Sequence, residues 1–380
     1  MSVVVSYNRQ FIFALIFTFI ILLAIEGTAR AFEWVYPSCV MVDSESQKIV
    51  DIFKLRQMCL DFQQLNFQQF DGYKLYESDQ HFSTVNINSE GFRGDEFFPQ
   101  KDNSTYRVFL IGGSTVFGSG ATSDNTTIPG SLEKQFKEIS PELNVEIINA
   151  GVPFANSNTE NKLIFDKIIG YDPDLLIFYD GWNDAWQRNL ILSEIDPSHI
   201  EKSTTSSKVN SGIIDFFQNK LKIYKTPLVL YKHFFWGKTT HYQGDINTED
   251  FIKVSEKISL NWKEKKSEIC TLDENNSFKT IVILQPILDT GNKPYSKTEK
   301  ELIPKTQFDI ETVQLLNKLE KPLSELNGIC DQVVDLRNVF DDVSYPIYFD
   351  FGHMNDYGNE IIAEKIYKKI LPTVLEDISK

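Results

Sequence analysis

The chain has 380 residues, 42% of them hydrophobic, which is enough to build one large domain or two small ones around a real core. Its formal net charge of -15 and pI near 4.9 argue against a nucleic-acid partner, because neutralising phosphates requires clustered Lys and Arg. Four cysteines, Cys39, Cys59, Cys270 and Cys330, form no CxxC or His/Cys cluster, so neither a structural zinc site nor any other metal or cofactor is expected.

In chain order, the first element is an apolar run from Phe11 to Ile25, broken only by Thr18 and flanked by Arg9, Glu26 and Arg30. With Gly27 to Ala29 added it is long enough to span a bilayer, which takes roughly 20 apolar residues. Ala29-Arg30-Ala31 also fits a signal-peptide cleavage site. The charges in its last turn favour a retained signal anchor over residues 1–30, with the membrane as a partner and the rest of the chain extracytoplasmic. The sequons at Asn103, Asn125 and Asn275 are compatible with export. Export would in turn allow a Cys270–Cys330 disulfide, since both cysteines precede neighbouring core runs; buried thiols are the alternative.

Residues 31–104 show no sustained periodicity and read as a stalk and lead-in, ending in the turn-rich Ser89-Glu90-Gly91-Phe92-Arg93-Gly94. From residue 105 strands and helices alternate. Strands are expected at Tyr106–Ile111, Val145–Ile148, Leu175–Tyr179, Thr280–Leu284 and Gln332–Leu336. Helices are expected at Ile128–Ile139, Thr159–Ile169, Ile310–Leu326 and Asp356–Leu371. Continuous apolar strands, each followed by a helical period, imply an α/β fold: a doubly wound, flavodoxin-like parallel sheet of five strands with helices on both faces. The stretch from about 185 to 278 interrupts the alternation. With its amphipathic, aromatic segment Ile213–Phe235 it reads as a helical insertion capping the sheet edge, with a substrate lid or a membrane-surface contact as sharper readings.

Catalytic groups in such sheets sit outside the carboxyl ends of the strands. Ser114 follows the first strand in a Gly-rich loop, Gly151 follows the second, and Asn183 follows the third in Gly181-Trp182-Asn183-Asp184. Taken singly these are turn or capping residues, and Asp184 reads as a helix cap. Asp350 and His353, at i and i+3 before the last helix, can face the same way. Together they supply a hydroxyl nucleophile, a base with an orienting carboxylate, and oxyanion donors.

This order of blocks resembles the SGNH hydrolases (the GDSL esterase/lipase superfamily) over roughly residues 105–375. The blocks are Phe109 to Gly118 (with Gly112-Gly113-Ser114-Thr115), Ile148-Asn149-Ala150-Gly151, Gly181 to Asp184, and Asp350-Phe351-Gly352-His353. The N-terminal segment is similar to that of membrane-anchored members. The resemblance implies a catalytic triad of Ser114, His353 and Asp350. It also implies an oxyanion hole made by the Ser114 amide, the Gly151 amide and the Asn183 side chain. Gly113 stands where the family name has Asp, as in a GGS-type subgroup, and Phe154-Ala155 stand where many members have another glycine. The expected activity is hydrolysis of a small acyl ester, with O-acetyl groups on an extracytoplasmic glycan as one substrate class. Acyl transfer to a surface polysaccharide, or a catalytically silent glycan-binding protein, would present the same motifs.

Overall fold

The computed structural model describes residues 6–35, 50–195, 247–272 and 278–380. The expected segment Ile213–Phe235 and Cys39 lie outside them. Tyr7–Val35 is one helix, and its Tyr7–Ala31 stretch has a mean hydropathy of 2.4, long and apolar enough to cross a membrane. This helix belongs to a different compact unit from the described residues 50 onward.

The lead-in is more ordered than its sequence suggests. Ile52–Gln64 is a helix capped by Asp51, whose side chain accepts from the Phe53 and Lys54 amides. Two short antiparallel pairs follow: β1 (Phe67–Gln69) with β2 (Lys74–Tyr76), and β3 (Gln80–His81) with β4 (Asn86–Ile87). Strands of two or three residues carry too few alternating positions to register as periodicity, which is why the sequence reads as aperiodic here.

The main sheet comprises β5 (Tyr106–Gly112), β6 (Val145–Gly151), β7 (Leu175–Asp180), β8 (Lys279–Leu284) and β9 (Gln332–Asp335). All neighbours are parallel and the spatial order is β6-β5-β7-β8-β9, the flavodoxin-like order expected. Its central strands are buried on both faces. Phe109 and Ile111 of β5 join Leu176 and Phe178 of β7 on one side, under the helices Ser157–Asp166, Thr248–Cys270 and Gln307–Lys318. Val108 and Leu110 join Leu175 and Ile177 on the other, under Ile128–Ile139 and Asp356–Ile378. Two-sided burial explains why each strand is a continuous apolar run rather than an alternating one.

Three helices differ from expectation. The one expected at Thr159–Ile169 is Ser157–Asp166, followed by a separate 3-10 turn at Ile168–Tyr171. The segment expected as Ile310–Leu326 splits at Leu319 into Gln307–Lys318 and Glu320–Glu325. Pro322 sits in the first turn of the second helix, where its missing N–H breaks no helical bond. The last helix runs on through Pro372 to Ile378. Cys270, the final residue of Thr248–Cys270, is joined to Cys330 across a sequence separation of 60, and Cys59 is likewise disulfide-bonded. Closing a loop of that length is worth about 4 kcal/mol in the chain-entropy account. Replacing Cys270 and Cys330 together with alanine should therefore lower the urea midpoint markedly. An unchanged midpoint, or free alkylation of both cysteines in unreduced denatured protein, would contradict the bridge.

Candidate active site

Strand register builds the site. Gly112 at the end of β5 pairs with both Gly151 of β6 and Tyr179 of β7. The segments leaving these three strands therefore start side by side at one edge of the sheet. Ser114 opens the short helix Ser114–Phe117, and Gly181, with φ +109°, turns the chain from β7 into the helix Trp182–Trp186. Only glycine adopts that φ without strain.

The fourth segment comes from far along the chain. Phe349 and His353 are joined by a bond from the Phe349 N–H to the His353 carbonyl at 2.9 Å, and Phe351 O accepts from Leu288 N at 2.9 Å. Within this tight loop Asp350 Oδ1 accepts from the Gly352 and His353 amides at 2.9 and 2.8 Å. Its other oxygen, Oδ2, lies 2.7 Å from His353 Nδ1. A carboxylate can only accept, so Nδ1 carries the proton of the neutral imidazole and Nε2 presents its lone pair. That nitrogen lies 2.7 Å from Ser114 Oγ. Ser114, His353 and Asp350 thus form one unbroken hydrogen-bonded chain. The Trp182 ring packs against the imidazole in a T-shaped arrangement with centroids 5.1 Å apart.

Electrostatics follow from this geometry. Burial raises the Asp350 carboxyl, but the imidazole beside it and the two backbone amides outweigh that and hold it below the ordinary aspartate value. Burial lowers the His353 imidazole, but the Asp350 charge and hydrogen bond leave it above its ordinary 6.5.

The donors expected for an oxyanion are placed unequally. The Ser114 N–H lies in a first helical turn, where amides have no helical acceptor. Asn183 Nδ2 donates to Ala155 O at 2.6 Å. That bond holds one of its two N–H groups and fixes the direction of the other. The Gly151 amide instead donates to Asn149 Oδ1 at 3.0 Å, so here it is already engaged. Gly113 lies against Asn183: a Cβ at this position would meet Nδ2, the end of that side chain, and would push the amide from its present position. Phe154, in the turn after Gly151, takes the left-handed φ of +66° and leaves its ring 70% exposed.

Residues that sequence reasoning passed over hold this arrangement. Arg93 is buried, with Nη1 donating to the carbonyls of Phe117 and Gly118 at 3.0 and 2.9 Å, and Nε to Asp124 at 2.7 Å. It stitches the lead-in beneath the serine loop. The only signal was an arginine between Phe92 and Gly94, which no periodicity rule selects. Asp184, read as a helix cap, instead accepts from the Ser157 hydroxyl at 2.6 Å in the buried interior.

No family model matches the sequence, and no curated protein matches it. Solved structures do. Axe2, an acetylxylan esterase from Geobacillus stearothermophilus, is 13% identical with a TM-score of 0.38, over 70% of this chain and 94% of its own. The acetyl xylan esterase AlAXEase is 13% identical with a TM-score of 0.39, over 70% of this chain and 99% of its own. A gut microbial diltiazem-metabolizing enzyme is 12% identical with a TM-score of 0.44, over 71% of this chain and 47% of its own.

Proposed function

We propose that the protein is an SGNH-type serine hydrolase that cleaves a small acyl ester, held at a membrane by the helix Tyr7–Val35 with its catalytic domain outside the cytoplasm. The observation that carries this reading is the chain from Ser114 Oγ to His353 Nε2 and from His353 Nδ1 to Asp350, each link 2.7 Å. In this mechanism His353 takes the Ser114 proton as Oγ attacks the ester carbonyl. Negative charge then grows on the carbonyl oxygen, where the Ser114 N–H and the free N–H of Asn183 stabilise it. His353 returns the proton to the departing alkoxide, leaving an acyl-enzyme. Water, activated by the same imidazole, then releases the acid and frees the serine. O-acetylated glycans are the substrate class we assign.

The test is hydrolysis of an aryl acetate and of acetylated oligosaccharides by the full-length protein, with and without an acceptor sugar. Hydrolysis of both esters is the expected result; acetyl appearing on the acceptor would make the protein a transferase, and no turnover of either ester would overturn the reading.

The pH profile is a further expectation. Only neutral His353 can accept the serine proton, so activity on an aryl acetate should rise with pH through a single ionisation above about 6.5. The stability linkage has the opposite sign. A raised imidazole pKa contributes stability that is full below the unfolded value and is lost as pH rises through the folded one. A flat activity profile between pH 5 and 8 would contradict His353 as the base.

A further inference from the structure

Behind Asn183 lies a buried cluster of charge that the mechanism above does not use. Lys266, fully buried on the helix Thr248–Cys270, places Nζ 2.7 Å from Glu160 Oε2 and in an ion pair with Asp180. Asp180 ends β7, and its Oδ1 accepts from Trp262 Nε1 at 2.9 Å. Asp184, four residues on, is also buried. One ammonium thus pairs with two carboxylates, Glu160 and Asp180, while the buried Asp184 carboxylate feels its charge from further off. Burying unpaired charge is costly. Accordingly burial, followed by Asp180, pushes the Asp184 carboxyl up to about 6 against the opposing effects of Lys266 and Ser157, and burial pushes Glu160 well up too.

Such a cluster needs a reason to persist, and its position supplies one. Two adjacent hydrogen bonds tie the same two segments together. Asn183 donates to Ala155 O at 2.6 Å, and Asp184 accepts from the Ser157 hydroxyl at 2.6 Å, with Ser157 N a longer 3.3 Å from the same oxygen. The first bond aims the Asn183 amide. The second, one residue along, fixes the distance and register between the segments across which that amide reaches. A bond to an ionised acceptor is roughly twice as strong as a neutral one, so a carboxylate suits this role better than an amide. Lys266 keeps that carboxylate affordable in the interior, and brings the helix Thr248–Cys270 into the support of the site.

We propose that Asp184, held by Ser157 and with Lys266 as its counterion in the cluster, is a positioning residue that keeps Asn183 aimed at the reacting carbonyl oxygen. This rests on the reading of Asn183 as an oxyanion donor.

A double-mutant cycle tests it. Asp184→Asn in the full-length protein should lower kcat on an aryl acetate on the order of 10-fold, the scale of a small misplacement of a catalytic group, with KM within about two-fold. In an Asn183→Ala background the same change should cost almost nothing further, because its effect is exerted through the missing amide. A merely structural role would instead subtract the same factor in both backgrounds. Ser157→Ala, which removes the hydroxyl without altering buried charge, repeats the cycle if Asp184→Asn does not fold. Equal losses in both backgrounds, or an unchanged kcat in the single variants, would overturn the proposal. The reading beneath it fails separately, if Asn183→Ala alone keeps wild-type turnover.

Discussion

Replacing Ser114 with alanine should lower turnover of an aryl acetate by roughly a million-fold, the scale of loss when the nucleophile of a comparable serine hydrolase is removed. The expectation is this large because Ser114 Oγ is the atom that the imidazole faces, at 2.7 Å, and no other hydroxyl or thiol among the described residues bonds His353 Nε2. Alanine lacks only a hydroxyl at the start of a four-residue helix, so folding should be little changed. A thermal melt within a few degrees of wild type would separate loss of chemistry from loss of structure. Turnover within ten-fold of wild type, with that melt unchanged, would remove Ser114 from the reaction.

Asn183→Ala should lower turnover by about 100- to 1,000-fold, the usual cost of one oxyanion donor, while the apparent substrate affinity stays nearly constant. In the proposed mechanism the amide would act on charge that exists only in the transition state, which would place the loss in kcat. On the proposed mechanism, with the Gly151 amide bonded to Asn149, the side chain of Asn183 would carry a larger share of the stabilisation than one donor among three. Asn183→Asp should be at least as damaging, since a carboxylate offers no donor and faces the oxyanion with like charge. Alanine also loses the bond to Ala155 O, so the melt of each variant is the control. Loss of melting temperature with turnover intact would make Asn183 a turn residue rather than a donor.

The sheet was legible in the sequence because its strands are buried on both faces and its helices carry a regular apolar period. Tyr106–Gly112, Ile128–Ile139 and Leu175–Asp180 lie within two residues of where their apolar runs place them. The positions of Ser114, Asn183, Asp350 and His353 at strand ends and before the last helix could likewise be read from order alone. What could not be read depends on contacts between distant segments. The engagement of Gly151 by Asn149 is a side-chain choice with no sequence signature, and so is the burial of Arg93 under the serine loop. Lys266 ends the charged run Lys263-Glu264-Lys265-Lys266, whose composition marks none of the four as buried; only its rotational position on the helix Thr248–Cys270 buries it. The approach of Gly113 to the Asn183 amide was equally hidden, because the two residues are 70 positions apart in the chain.

The most direct test of the central claim is to treat the full-length protein with a fluorophosphonate and map the adduct by peptide mass spectrometry. A single phosphonylated peptide with the modification on Ser114, absent in Ser114→Ala and strongly slowed when labelling is carried out at a pH that protonates His353, is the result this account predicts. Labelling on another residue, or labelling that persists in Ser114→Ala, would contradict it.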